Sequence, residues 1–299
     1  MRNETSFTVI ADGLDFPEGP VELPDGDVVL VEIGAGAVTR IGPTGKKTRI
    51  CRMPGAPNGL ALGPDGYLYC CNAGETRFHI VGGVKEPHGT PDTYAGGSVW
   101  RIHPDHGRPE KLFDACAGRP LRGPNDLVMD AAGGFYFTDL GKAFADERKF
   151  GGIYYVPSGL GEVRQVLYPF DFSNGIGLSP DGGTLYVAQT MAARLWAFEV
   201  LGPGEIRVLP DRWEKGRLVA SLTGATGFDS LAVDAAGNIC AATLNAGCIT
   251  RVSPDGTRID AFHFPDRYVT NICFSSRDAG KAFVTLSSTG RLVSTDLGG

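Results

Sequence analysis

The sequence predicts an all-β fold: a six-bladed β-propeller of four-stranded blades, one domain over residues 1–299, closed by its N-terminal strand. Three observations carry this. The 43 glycines and 20 prolines are spread along the chain rather than clustered, which is the punctuation of many short strands. No amphipathic helical period of convincing length appears between them. A nine-residue pattern also returns along the chain about every 50 residues, a spacing within the range of propeller blades.

The first copy, EGPVELPDG, begins at Glu18 with a polar head, runs through alternating apolar residues and ends on Asp-Gly. NGLALGPDG from Asn58 and NGIGLSPDG from Asn174 repeat it in full. NDLVMDAAG from Asn125 and DSLAVDAAG from Asp229 keep the head, the alternation and the final glycine. The last copy starts at Thr270 as TNICF and reaches its glycine two residues late, through SSRDAG. Asp-Gly between apolar runs is a strong short-range hairpin signal.

A second strand follows each turn: VVLVEI, YLYCCN, GFYFTD, TLYVAQ, NICAAT and KAFVTL. A third follows as AVTRI, SVWRI, GIYYV, RLWAFEV, CITRV and RLVSTD. The sixth repeat has only these three strands, so SFTVIA near the N-terminus is assigned as its missing outer strand. Segments 72–97 and 139–151 exceed what a hairpin needs and read as loops over one face of the disc.

Composition narrows the function classes. A hydrophobic fraction of 42% and mean hydropathy of −0.06 fit a globule with a sizeable core. No apolar run approaches the roughly 18 residues of a membrane span. Net charge is −6 without a basic stripe, which argues against nucleic acid. The seven cysteines lack a CxxC pair and several sit in apolar strands, so they read as reduced core residues. With no apolar leader in MRNETSFTVIADG, a cytoplasmic location is expected. Nothing in the sequence indicates a protein partner.

In a propeller the innermost strand of each blade lines the axis, so the six heads converge at one end of it. They are Glu18, Asn58, Asn125, Asn174, Asp229 and Thr270. Asn and Asp at loop-to-strand junctions often only bond their own backbone. Carboxylates or amides at five of six equivalent positions outweigh that reading. Hard oxygens from several directions, two of them anionic, suit one hard divalent cation. Without one, Glu18 and Asp229 would repel each other in a partly desolvated pocket. Glu18 is also stiffly held within FPEGP: Pro17 biases Phe16 toward extended backbone, and Gly19 permits a close approach.

At this point the chain resembles the senescence marker protein/gluconolactonase/luciferin-regenerating enzyme family of six-bladed propellers. The resemblance rests on FPEGP, GPNDLVMDAAGGFYFTD, FSNGIGLSPDG and GFDSLAVDAAGN, and it spans essentially the whole chain. It implies that Glu18, Asn174 and Asp229 hold one divalent metal, with Asn125 a further ligand or a substrate contact. Calcium is the first choice of metal, with zinc, magnesium and manganese as alternatives. It also implies hydrolysis of a small lactone from sugar-acid metabolism, and it includes phosphotriesterase relatives such as diisopropyl-fluorophosphatase. Some lactonases of the family carry an arginine two residues before the equivalent of Asn125. Here that place is Gly123, and Arg122 stands one residue earlier. Arg122, Asn125 and Asn58 are the expected substrate contacts, and Asp229 the expected proton acceptor.

Other candidates are weaker. No GxSxG elbow and no HExxH pair occurs. His79 and His88 lie in the first long segment and could reach the pocket as lid residues. Tyr94, Phe144 and Phe150 are lid aromatics or merely pack their own loops. Asp126 and Asp139 bracket the hairpin of the third blade. Asp139 either supports the site or caps its strand, while Asn271, next to a head, reads as a strand cap. Two rival functions remain: an organophosphate or arylester hydrolase on the same metal centre, and a non-enzymatic ligand-binding propeller.

Overall fold

The computed structural model describes residues 5–209 and 215–297. They form six antiparallel four-stranded blades, and there is no helix among the described residues. Blade 1 runs Pro17–Glu22, Val28–Glu32, Ala37–Ile41, Lys47–Arg52 from axis to rim. Blade 2 is Pro57–Leu62, Leu68–Asn72, Ser98–Ile102, Pro109–Phe113, and blade 3 is Pro124–Met129, Phe135–Asp139, Gly152–Val156, Arg164–Leu167. Blade 4 is Ser173–Leu178, Thr184–Gln189, Arg194–Gly202, Arg217–Ser221, with a short extra strand at Glu205–Ile206. Blade 5 is Gly227–Val233, Ile239–Leu244, Cys248–Val252, Ile259–His263.

Blade 6 has three strands from the C-terminal end, Val269–Phe274, Lys281–Leu286 and Arg291–Asp296. Its outer strand is Thr8–Ala11, with Thr8 opposite Ser294 and Val9 opposite Val293. The ring therefore closes with the N-terminal strand as the outer strand that the sixth repeat lacked.

The core lies between the blades rather than at the axis. The second strand of blade 1 shows why these strands are apolar on both faces. Val29 and Val31 pack toward Leu60, Leu68 and Cys70 of blade 2. Val28 and Leu30 pack toward Phe283 and Leu292 of blade 6. Alternate side chains of one strand thus serve two interfaces, the consequence of a two-residue period. The other four gaps are filled in the same manner. All seven cysteines are free and six of them are buried in this packing.

The two long segments differ from the expected plain loops. Phe78–Val81 and Val84–Pro87 form a hairpin, turned by Gly82-Gly83 with both φ angles positive (59° and 83°). That is the backbone a two-residue primed turn demands. A shorter ladder joins Lys142–Ala143 to Arg148–Lys149. Thr90 Oγ1 donates to the Ala143 carbonyl at 2.8 Å, tying the first of these segments to the second.

Candidate metal centre

In every blade the ladder slips at the start of the innermost strand, at or beside the head residue. Such a bulge re-aims a side chain that would otherwise alternate within the sheet. Here it brings all six heads, Glu18, Asn58, Asn125, Asn174, Asp229 and Thr270, to the wall of one cavity of about 300 Å³.

Glycines set how closely the heads approach. A Cβ on Gly19 (φ +54°) would lie 2.6 Å from the Asn58 carbonyl oxygen and 2.8 Å from the Leu60 nitrogen. On Gly59 it would lie 2.7 Å from the Asn125 carbonyl oxygen, and on Gly175 2.6 Å from that of Asp229. The inner strands pack backbone against backbone, which no larger residue permits. Gly19→Ala is expected to cost about 1–3 kcal/mol in backbone strain alone and to push the heads of blades 1 and 2 apart. Thermal melting and metal content would check it, and a variant equal to the wild type in both would refute it.

Phe16 does not take the extended backbone expected before Pro17. Its φ is +59°, a left-handed conformation uncommon for a bulky side chain. Proline disfavours the right-handed helical region for its predecessor, and the left-handed well stays open. Tertiary contacts select it: the Phe16 carbonyl accepts the Ile33 N–H at 3.1 Å. Its ring packs on Phe78 and Tyr268, with centroids 5.1 and 6.1 Å away.

Glu18 is buried, and its Oε2 accepts the Gly19 N–H at 2.7 Å and the Asn271 amide at 2.6 Å. Asn271 therefore supports the head of the next blade, while its own Oδ1 accepts the Ile272 N–H. Burial pushes the Glu18 carboxyl up from its ordinary range, against the pull of these hydrogen bonds. Asp229 is pushed well up, first by burial and then by the charge of Glu18. Its Oδ1 accepts the Asn174 amide at 2.6 Å, and the same amide reaches Thr190 Oγ1 at 3.0 Å.

The amide oxygens are the telling atoms. Asn125 Oδ1 and Asn174 Oδ1 are both buried without a hydrogen-bond partner among the described residues. Buried polar atoms left unpaired are rare and costly, and a site for an ion is a recognised cause. Thr270 differs from the other heads, because its hydroxyl joins those of Thr285 and Ser287 in a buried chain. No three His, Cys, Asp or Glu side chains gather as a metal cluster among the described residues. The donor set here is two carboxylates and two amides.

Asp139 supports the site from beneath. Its carboxylate accepts the N–H groups of Arg122 and Gly123 at 2.7 Å and of Gly141 at 2.8 Å. It thereby fixes both the segment entering Asn125 and the segment leaving toward Lys142. Glu32 and Asn72 end the second strands of their blades and do related work, receiving the Asp15 N–H at 2.9 Å and the Ala56 N–H at 3.2 Å. Asp126 turns instead into a separate axial cavity, where burial and then the charge of Glu18 push its carboxyl up to about 8.

Arg122 does not reach the cavity wall. Its backbone is what the fold uses, with the amide on Asp139 and the carbonyl accepting the Tyr94 hydroxyl. His79 and His88 stack on each other with centroids 4.2 Å apart, and neither lines the cavity. Phe78 and Pro87 of the same hairpin do. Tyr94 and Phe144 pack edge to face against each other, and Phe150 is exposed. Sequence reasoning missed Lys142, Arg148, Phe172, Thr190 and Tyr268, all on the wall and outside the repeated pattern.

Known proteins resemble this chain in sequence and in fold. Lactonase drp35 of Staphylococcus saprophyticus subsp. saprophyticus is 28% identical over 244 residues, 81% of this chain and 68% of that protein. The gluconolactonase of Zymomonas mobilis subsp. mobilis is 25% identical over 300 aligned positions, 91% of this chain and 77% of that protein. A solved structure of regucalcin from Agrobacterium tumefaciens, a calcium-binding protein, shares the fold with a TM-score of 0.73 at 20% identity, covering 98% of this chain and 94% of that one. The family model for the SMP-30/Gluconolactonase/LRE-like region matches residues 16–288, and the chain belongs to that family.

Proposed function

We propose that this protein is a metal-dependent hydrolase that opens a small lactone ring. The observation that carries it is the pair of partnerless amide oxygens, Asn125 Oδ1 and Asn174 Oδ1, on one cavity with the carboxylates of Glu18 and Asp229. Four hard oxygens with two negative charges fit a divalent cation, calcium first because it accepts carboxylates and amide carbonyls in flexible geometry. Glu18, Asn125, Asn174 and Asp229 would hold it. When bound, such an ion supplies a Lewis acid for the ester carbonyl and the charge that develops on it.

The remaining chemistry belongs to the chain. Water adds to the carbonyl carbon, the ring C–O bond breaks, and a hydroxy acid results, which releases its carboxyl proton to solvent. Asp229 accepts the proton of the attacking water and returns it to the departing ring oxygen. Asn174 holds the Asp229 carboxylate in place through its amide. Asn58 and Asn125 stand on the same wall as polar contacts for the substrate. Relatives named lactonase and gluconolactonase support ester opening rather than a binding role.

Elemental analysis of purified protein, with a pH-indicator screen of lactones with and without chelator, tests this reading. Glu18→Gln keeps the shape but removes one charge and the anionic oxygen. It is expected to lower metal occupancy and activity together. Full occupancy and activity in that variant would place the centre elsewhere. No turnover of any lactone by metal-loaded protein would favour the esterase or binding alternatives.

A further inference from the structure

Two cations, Lys142 and Arg148, both from the 139–151 segment, are among the residues lining the cavity. Arg148 is committed: its guanidinium pairs with Asp171 at 2.6 Å, donates to the Leu140 carbonyl and lies 3.8 Å over the Phe172 ring. Lys142 is not. Its Nζ makes one hydrogen bond, to the Glu75 carbonyl at 3.1 Å, and sits 5.2 Å from the Tyr94 ring centre. An ammonium has three donors, so two remain without an acceptor among the described residues.

The surrounding charges are otherwise answered. On the reading proposed above, Glu18 and Asp229 would balance a divalent cation. Asp139 accepts three backbone N–H groups and forms no ion-pair contact with Lys142, although its charge favours the ammonium from a distance. Glu75 turns its carboxylate to the Ala95 N–H at 3.1 Å. Much of the rest of the wall is apolar: Phe16, Ile33, Phe78, Phe172, Leu244 and Tyr268. A half-buried ammonium among such groups is costly unless something pairs with it.

On the lactonase reading above, we infer that Lys142 is a specificity-determining residue that receives a carboxylate carried by the substrate. The preferred lactones are then cyclic esters of hydroxy-dicarboxylic acids. The geometry is fixed by one group, since Asp139 holds both Gly123, two residues before Asn125, and Gly141, one residue before Lys142. The metal side and the cation side of the cavity cannot drift independently. Burial lowers the Lys142 ammonium to about 8, so it is charged at neutral pH and sheds its proton just above.

The test uses metal-loaded full-length protein and a matched pair of five-membered lactones. One carries a carboxylate on the ring carbon beside the ring oxygen, the other a hydroxymethyl group there. Wild type is expected to favour the carboxylate lactone in kcat/KM at pH 7. Lys142→Gln should cut that ratio about 10–100-fold, the span of a charge-assisted hydrogen bond, chiefly through KM. Lys142→Arg should recover part of it. The wild-type ratio should also fall as pH rises through about 8, where Asp139, Glu75, Arg148 and Tyr94 are the neighbouring groups that tune Lys142. A wild type that opens neutral lactones equally well overturns the inference and leaves the lactonase reading standing. So does a Lys142→Gln variant that keeps its metal and the full ratio. If no lactone is opened at all, both fall.

Discussion

Asp229→Asn is expected to bind metal more weakly and, at metal concentrations that saturate the site, to lose about 10²–10⁴-fold in kcat, the usual contribution of general-base catalysis. The amide oxygen still offers a ligand to the cation but cannot take a proton from water. The partner contact favours a well-placed side chain, because the Asn174 amide that meets Asp229 Oδ1 at 2.6 Å can meet an amide oxygen as well. Elemental analysis beside steady-state kinetics separates the two roles. A variant with full metal and near wild-type turnover would leave Asp229 as a ligand only.

The same substitution has a second readout that a purely catalytic residue would not give. Glu18 and Asp229 hold protons more readily folded than unfolded, because burial disfavours their charged forms and at Asp229 the charge of Glu18 adds to it. Such groups contribute stability that is full below the ordinary carboxyl range and lost as pH rises through the folded value. At neutral pH the metal-free protein therefore carries a penalty that Asp229→Asn removes. Chelator-treated variant should melt above chelator-treated wild type. The order should invert with metal present, when a carboxylate is the better ligand.

The fold was legible because one physical rule repeats. Each Asp-Gly or Ala-Gly turn lies eight residues after a head in five copies, so a single alignment fixes both the strands and the axis. The sixth head, Thr270, was found by its place and not by its chemistry, and its hydroxyl is spent inside the protein. The hairpin at 78–87 was also readable, since FHIV-GG-VKEP is a two-glycine turn between strand-like runs. Segment length alone suggested a loop. Phe16 was misread because the proline rule excludes one well, whereas the Ile33 hydrogen bond and two aromatic contacts choose between the others. Lys142 could not be found from sequence. Nothing in DLGKAF distinguishes a cavity lysine from a solvated one until Asp139 and the Glu75 carbonyl position it.

Deleting residues 1–11 is expected to cost several kcal/mol and lower Tm by on the order of 10 °C. The segment does more than add a strand to blade 6. Thr8 and Val9 pair with Ser294 and Val293, and Ala11 with Leu292. The Ser6 carbonyl accepts Thr295 Oγ1 at 2.7 Å, and the Thr5 N–H reaches the His263 carbonyl in blade 5 at 2.9 Å. Ile10 and Ala11 enter the cluster that joins Val28, Leu30 and Ile41 of blade 1 to Phe283 and Leu292 of blade 6. The N-terminal segment is thus the clasp between the first and last blades, since its strand in blade 6 runs on directly into blade 1. Its removal uncovers the backbone edge of Arg291–Asp296 together with that apolar cluster, a combination that invites pairing between molecules. The truncated protein should melt earlier and associate on heating, which light scattering recorded alongside the thermal transition would detect. Because Glu18 lies on the first strand of blade 1 and Asn271 on the first strand of blade 6, loosening the clasp should also weaken their 2.6 Å contact. Metal affinity is therefore expected to fall with stability, although no described residue of the deleted segment lines the cavity. An unchanged melt and unchanged metal affinity would show that the ring holds without its clasp.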